Sequence, residues 1–191
     1  MNASFYYYYH FLRIFLHDSI MAIETPNFQL LKKEGEFEIR EYDPMIIAVT
    51  KVNSNYREAS STGFKRIANY IFGGNQKKME IKMTAPVILD VPNSNDIYEI
   101  LFVMPSQHSL EELPEPDQSN VELKVKELGK TAVIKFGGWA TESRATYYKK
   151  RLEDFVKNSG FTINSDYMVA QYNSPWALPP FRKNEIIVMI K

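Results

Sequence analysis

Two stretches of the chain repeat their apolar positions at the spacing of an α-helix. The first spans residues 54–75, where Ser54 is the predicted cap and Gly73-Gly74 the predicted end. Its periodic positions are Tyr56, Ser60, Phe64, Ile67 and Ile71. The second spans residues 140–160 and ends at Gly160, with Ala145, Tyr148, Leu152, Phe155 and Val156 on one face. The sequence therefore predicts two amphipathic helices.

Other stretches alternate apolar and polar residues, or stay apolar between turn signals, as strands do. In the first half these are "GEFEIREYDPMIIAVTKV" with a turn at Asp43-Pro44, then "MEIKMTAPVILD" and "IYEILFVMP" after the first helix. In the second half they are "VELKVKELGKTAVIKFGG", then "YMVAQYNSP" and "NEIIVMIK" after the second helix. A polar connector, residues 106–120, separates the halves.

The stretch "KMEIKMTAPV", residues 78–87, combines strand-like alternation with a proline. Because proline has no amide hydrogen for a ladder, we expect Pro86 to mark the bend of an edge strand at the rim of a barrel. Met79 and Met83 are then predicted to fill the curved interior beside it.

Strands, a helix and two strands thus follow each other twice, which indicates an internal duplication. Each half holds only about 75 residues, too few for a large separate core, so residues 21–191 are expected to form one domain. The predicted fold is α+β: two βαββ repeats form a distorted antiparallel β-barrel flanked by two helices. A concave sheet between two such halves leaves a cleft for a ligand.

Residues 1–20, "MNASFYYYYHFLRIFLHDSI", differ in composition from the rest. They lack the basic start and unbroken apolar stretch of a signal peptide, and charges interrupt them too often for a membrane span. We expect an atypical extension that is dispensable for folding; an amphipathic membrane-surface anchor is the alternative.

Charge and cysteine usage narrow the function. Lys+Arg and Asp+Glu both number 23, which argues against a nucleic-acid partner. The absence of cysteine excludes thiolate metal sites and cysteine nucleophiles; we expect a cytoplasmic protein, although a disulfide-free secreted protein is equally compatible.

No group of residues predicts catalysis or a metal site. His108 lies in the polar connector, where a loop role is expected, and Ser106 and Ser109 lack the strand–turn–helix elbow of a serine nucleophile. The paired glycines lack the lysine and hydroxyl residue of a phosphate loop. The rigid loop "NSPWALPPF" either packs over the end of the barrel or forms a wall of the cleft.

The blocks "TGFKRIANYIFGGN", "KKMEIKMTAPV", "FGGWA" and "YNSPWALPPFRKNEI" occur in the order and spacing of the SOUL heme-binding proteins. The resemblance covers residues 24–191. It implies the two-repeat barrel described above and binding of heme or another tetrapyrrole, with no catalytic reaction common to the family. In some members a histidine proposed as the iron ligand stands where this chain has Glu41.

The resemblance also implies two basic side chains near the heme propionates, and their positions hold Asn69 and Leu178 here. Lys65, one helical turn before Asn69, is the cation expected to replace the first of them. The predicted heme-binding residues are Lys65, Ala68, Asn69, Phe72, Trp176 and Leu178. We therefore expect a heme carrier or buffer without a histidine axial ligand; the alternative is a sensor or enzyme module of the same fold that binds another flat apolar ligand.

Overall fold

The computed structural model of the chain describes residues 23–92, 96–174 and 177–191. In these ranges it contains nine strands, two α-helices and one short 3-10 helix. The strands are β1 (Phe28–Glu34), β2 (Phe37–Tyr42), β3 (Met45–Asn53), β4 (Val87–Val91), β5 (Ile97–Val103), β6 (Glu122–Lys126), β7 (Gly129–Phe136), β8 (Tyr167–Gln171) and β9 (Asn184–Met189). The helices are α1 (Tyr56–Ile71), α2 (Glu142–Asn158) and the 3-10 helix (Pro179–Phe181). The α+β class is confirmed.

The strands form one antiparallel sheet that curls into a half barrel, in the order β1-β2-β7-β9-β8-β4-β5-β3-β6. Leaving β1 aside, the order reads the same backwards when β2 is exchanged with β6, β3 with β7, β4 with β8 and β5 with β9. This order is compatible with two βαββ repeats, but strand order alone does not test whether the halves repeat each other. The duplication stays a prediction.

Each helix begins where a polar side chain caps it. The Asn55 side chain accepts a hydrogen bond from the backbone N–H of Glu58, and Thr141 accepts one from Arg144. Ser54, the predicted cap of α1, instead donates to the Glu58 carboxylate at 2.5 Å. Both helices end before a glycine with positive φ, as the sequence predicts.

Both helices pack on the same face of the sheet. There α1 covers β3, β4 and β5, while α2 covers β7 and β9. The buried helix residues are Tyr56, Ala59, Gly63, Ile67, Tyr70 and Ile71 of α1, and Ala145, Leu152 and Val156 of α2. A second apolar cluster, which includes Ile47, Leu101, Val133 and Ile187, lies on the opposite face inside the curl. Both faces of the central strands are therefore buried.

The structure corrects two strand predictions. Residues 79–86 do not join the sheet, and β4, which begins after Pro86, lies between β5 and β8 rather than at an edge. The predicted edge strand at Pro86 is therefore wrong, although Met79 and Met83 do pack against the helix-side core. The edge strands are β1 and β6, and β1 was not predicted because all seven of its residues are exposed and give no alternation.

The expected N-terminal extension, residues 1–20, lies outside the described residues. Among the helices that the structure describes, none has the length and apolar content needed to span a membrane.

Candidate functional site

Four of the predicted site residues lie on the C-terminal half of α1 and just beyond it, which we call the α1 flank: Lys65, Ala68, Asn69 and Phe72. Lys65 is exposed and the other three are half-buried. Ala68 and Phe72 border a small gap together with Phe64, Ile67, Ile71, Met83, Val87 and Phe102. The gap has a volume of only about 10 Å³, which is the size of a single water site. A flat macrocycle can contact this flank only from its outer surface.

Asn69 is held against the turn that follows α1. Its backbone carbonyl accepts a hydrogen bond from Gly74 N–H at 2.8 Å. A Cβ atom at Gly74 would come within 2.8 Å of the Asn69 Cγ atom, so only glycine fits beside this side chain. Asn69 therefore helps to shape the end of α1, whatever else it contacts.

Leu178 lies in the connection between β8 and β9. It is distant from the α1 flank in sequence, and the residues around it are different ones. The carbonyl oxygen of the next residue, Pro179, accepts a hydrogen bond from Gly138 N–H, just before α2. Leu178 is 65% exposed and Phe181 is 71% exposed. Both side chains are largely exposed, and the wall of a ligand cleft stays a prediction for this loop. Trp176, the remaining predicted residue, lies outside the described residues.

A much larger cavity opens where the chain before β2 meets the ends of β7 and β9. We call it the β7–β9 pocket; its volume is about 570 Å³. It is lined by Thr25, Pro26, Phe28, Arg40, Lys135, Phe136, Gly137, Tyr172, Arg182, Lys183, Asn184 and Glu185. None of the five predicted site residues that the structure describes lines it.

Charged side chains form a buried network at the floor of this pocket. The Arg40 guanidinium donates to both oxygens of Glu185, at 3.0 and 2.7 Å, and to one oxygen of Glu38, at 2.9 and 2.6 Å. Lys135 donates to the other Glu38 oxygen at 2.5 Å, and Tyr172 donates to Glu185 at 2.6 Å. Arg40 and Lys135 balance the two carboxylates, which offsets the cost of burying them, and the exposed Lys33 ammonium lies 3.8 Å from Glu38.

The network fixes the protonation states of its members. Burial opposes ionisation of Glu38, yet the hydrogen bonds from Lys135 and Arg40 lower its pKa below the ordinary value. Burial raises the pKa of the Tyr172 hydroxyl, and the Glu185 carboxylate raises it further. Burial also raises the pKa of Tyr42 to about 12. Both phenols therefore stay protonated and neutral.

Iron ligands are scarce in the part of the chain that the structure describes. His108, its only histidine, sits in the connector beside Gln107. The hydroxyls of Tyr42 and Tyr172 are hydrogen-bonded inside the network, and phenols that remain protonated are poor iron ligands. The described ranges also hold no group of three or more acidic, histidine or cysteine side chains arranged for a metal ion. The residues present fit the porphyrin plane and its carboxylates better than they fit the iron.

The sequence signals for the β7–β9 pocket were weak. In "FEIREY" the alternation assigns Glu38, Arg40 and Tyr42 to one face, and charged residues on one face of a strand normally indicate solvent. The compensating carboxylate of Glu185 is 145 residues away, and one sequence does not reveal such a pairing.

Comparisons with known proteins identify relatives of the whole described chain. The model of the SOUL heme-binding protein family matches residues 23–189. Heme-binding protein 2 of Homo sapiens is 31% identical over 181 residues, covering 89% of this chain and 87% of that protein. Heme-binding protein 1 of Xenopus laevis is 29% identical and covers 81% of this chain and 84% of its own length.

Solved structures share the fold at low identity. The EcmrR C-terminal domain superimposes with a TM-score of 0.62 at 12% identity, covering 86% of this chain and 98% of that domain. A hydrolase from Listeria innocua superimposes with a TM-score of 0.59 at 14% identity, covering 92% and 97%. These two similarities concern the fold alone.

Proposed function

Because this chain belongs to the SOUL heme-binding protein family, we propose that it binds heme or a related tetrapyrrole as a cytoplasmic carrier or buffer, without catalysing a reaction. The observation that supports this proposal most directly is the family match over residues 23–189, which extends through every described element. The relatives named above are called heme-binding proteins, which favours binding over catalysis.

We propose the α1 flank as the surface that contacts the macrocycle, and the exposed loop at Leu178 as a separate candidate surface. Ala68 and Phe72 offer a small and a flat apolar surface on α1, and Leu178 offers an exposed apolar side chain. Burying the faces of a porphyrin contributes several kcal/mol at about 25 cal/mol per Å² of apolar surface. Lys65 is the exposed cation beside Ala68 and Phe72, so it is the residue that would meet a propionate there.

A heme titration of the purified chain, followed by the Soret band, tests the function. Lys65→Ala tests the site: because Lys65 is exposed, we expect heme affinity to fall only about two- to fivefold. Lys150→Ala, an exposed change on α2, is the matched control and should leave the affinity unchanged. Lys149 is a poorer control because its ammonium lies 4.2 Å from the centre of the Tyr167 ring.

Equal heme affinities for the Lys65 and Lys150 variants would remove the α1 flank as the propionate side. Absence of any saturable Soret change would contradict the proposed function itself. The alternative, a sensor or enzyme module for another flat ligand, is favoured by one observation, the β7–β9 pocket, which none of the five described residues of the predicted heme surface lines.

A further inference from the structure

The β7–β9 pocket has the size and lining of a ligand site of its own. We propose that it binds a flat aromatic molecule that carries one anionic group, independently of tetrapyrrole binding at the α1 flank. Its volume of about 570 Å³ falls within the range of roughly 300–1,000 Å³ that small-molecule pockets occupy. The gap at the α1 flank, at about 10 Å³, does not.

The walls of the pocket are apolar and partly aromatic. Pro26 and Phe28 contribute apolar side chains to the lining. Phe136 also borders the pocket, but its ring is stacked on Tyr148 of α2, with 4.4 Å between the ring centres, in the helix-side core. The Phe28 ring is held in place from behind, since the Arg40 guanidinium carbon lies 4.2 Å from its centre and the Tyr42 ring lies 5.2 Å away. A ring fixed in this way, yet 39% exposed, offers a preformed surface for another flat ring.

The floor of the pocket is polar, but its charges are balanced within the protein, so it does not need a charged ligand. Arg40 uses all five of its N–H groups: Nε and one Nη2 hydrogen bind Glu38, the other Nη2 hydrogen and one Nη1 hydrogen bind Glu185, and the last binds the Tyr42 hydroxyl. With Lys135 on Glu38, the four charged groups sum to zero. This floor therefore binds neither an anion nor a cation strongly, and the charge preference must come from the rest of the lining.

The remaining charged residues of the lining are both cations. Arg182 is 6% exposed, and its Nε donates to the Ala177 carbonyl at 2.8 Å. Lys183 is exposed, and within the described ranges its ammonium forms no ion pair. No carboxylate other than Glu185 lines the pocket among the described residues. The lining thus attracts one anionic group at Lys183 and repels a cationic ligand.

The probe for this site is 8-anilinonaphthalene-1-sulfonate, an aromatic anion whose fluorescence rises on transfer to an apolar site. N-phenyl-1-naphthylamine has the same rings without the sulfonate and serves as the neutral counterpart. We expect Lys183→Ala to weaken binding of the anion about three- to tenfold while changing binding of the neutral compound less than about twofold. Lys157→Ala, an exposed lysine at the end of α2, is the control and should change neither.

A second pair of variants tests the aromatic wall. Phe28→Ala should weaken both compounds by at least about fivefold, because the ring contact does not depend on charge. Phe28→Leu keeps apolar volume at this edge-strand position and should fall between wild type and Phe28→Ala. Near-equal losses of both compounds in Lys183→Ala, or unchanged binding in both Phe28 variants, would overturn the proposal.

Heme separates this inference from the proposed function. Saturating heme should leave anilinonaphthalene sulfonate bound, and Lys65→Ala should not alter its affinity. Stoichiometric displacement by heme would overturn the independence of the two sites. Failure of the chain to bind heme at all would contradict the proposed function but would leave the Lys183 and Phe28 results to decide the pocket.

Discussion

At the scale of single residues, Arg40 of β2 pairs with two buried carboxylates, Glu38 on the same strand and Glu185 on β9, and the second pair links the two strands. Its side chain is 1% exposed, so removing the guanidinium leaves two carboxylates buried without their main partner. We expect Arg40→Met to lower the free energy of unfolding by about 3–5 kcal/mol, measured by urea denaturation.

The matched control removes an ion pair that lies in water. Lys32→Ala breaks the ion pair between Lys32 and Glu34, whose side chains are 56% and 62% exposed. This change should lower the free energy of unfolding by less than about 1 kcal/mol. Replacing Glu38 and Glu185 by apolar residues together with Arg40 should recover part of the loss, because no charge is then left buried. A loss below about 1 kcal/mol for Arg40→Met would mean that water reaches the network.

The sequence predicts some of the neighbours on the α1 flank, but not the contacts that residues elsewhere in the chain make there. The helical spacing in α1 correctly placed Ala68 and Phe72 side by side, since positions four apart share a helix face. It did not reveal that Met83, Val87 and Phe102 close the gap beside them, because those contacts depend on how residues 79–86 cross the end of α1. The heme contacts of Lys65, Asn69 and Leu178 stay predictions.

At the scale of elements, β4 and β5 place two carboxylates opposite each other. Asp90 pairs directly with Glu99 across the two strands. Burial raises the pKa of Asp90 to about 6, with Glu99 and Asp166 adding to the effect and Lys126 opposing it. An unfolded aspartate titrates near about 3.9, so the folded state takes up a proton between these two values.

Ionisation of Asp90 should therefore lower the free energy of unfolding as the pH rises from 4 to 7. We expect Asp90→Asn to raise the free energy of unfolding by about 1–2 kcal/mol at pH 7.5 and to change it little at pH 4. Chemical denaturation at both pH values measures the difference, with the exposed Asp154→Asn on α2 as the control. A gain that is equal at both pH values would show that charge at Asp90 is not its cause.

Helix α1 meets β5 at a position where only glycine fits. A Cβ atom at Gly63 would lie 2.6 Å from the Ile100 Cβ atom, closer than packed carbons approach. Gly63→Ala should gain about 1 kcal/mol in helix propensity but lose about 1–3 kcal/mol to overpacking, so net destabilisation is expected. Thermal unfolding of Gly63→Ala, Ile100→Ala and the double variant forms the cycle; the double variant should be more stable than the sum of the two single losses implies. Strict additivity would show that the helix moves away without cost.

The elements also show where local pattern reading fails. Met79, Ile81 and Met83 alternate like a strand because the chain there is extended and has one buried side, yet its hydrogen bonds run to other partners. Ile81 N–H donates to the Ile71 carbonyl at the end of α1, and Met79 N–H donates to the Asn75 side chain. The sequence marks residues 106–120 only as a polar connector, yet Leu113 and Pro114 are buried against the end of α1, where Tyr70 donates to the Pro114 carbonyl. Such contacts between distant segments leave no periodic trace.

At the scale of the whole molecule, the α+β class and the two helices on a curled antiparallel sheet follow from the order and periodicity of the elements, because each of these signals is local. The strand order, the buried network and the β7–β9 pocket depend on pairings up to 145 residues apart. The proposed function therefore depends on surfaces that the fold assembles, and the last prediction concerns the whole ligand.

Tetrapyrrole binding by this chain is expected not to need iron. The only histidine in the described ranges, His108, lies in the connector, and the position of the proposed family ligand holds Glu41. If macrocycle burial supplies the affinity, metal-free protoporphyrin should bind within about tenfold of heme, that is within about 1.4 kcal/mol. Parallel titrations, followed by porphyrin fluorescence and by the Soret band, measure the two affinities on the same preparation. Heme that binds more than about a hundredfold tighter, with a six-coordinate spectrum, would show that protein side chains do hold the iron and that the apolar surface alone does not account for binding.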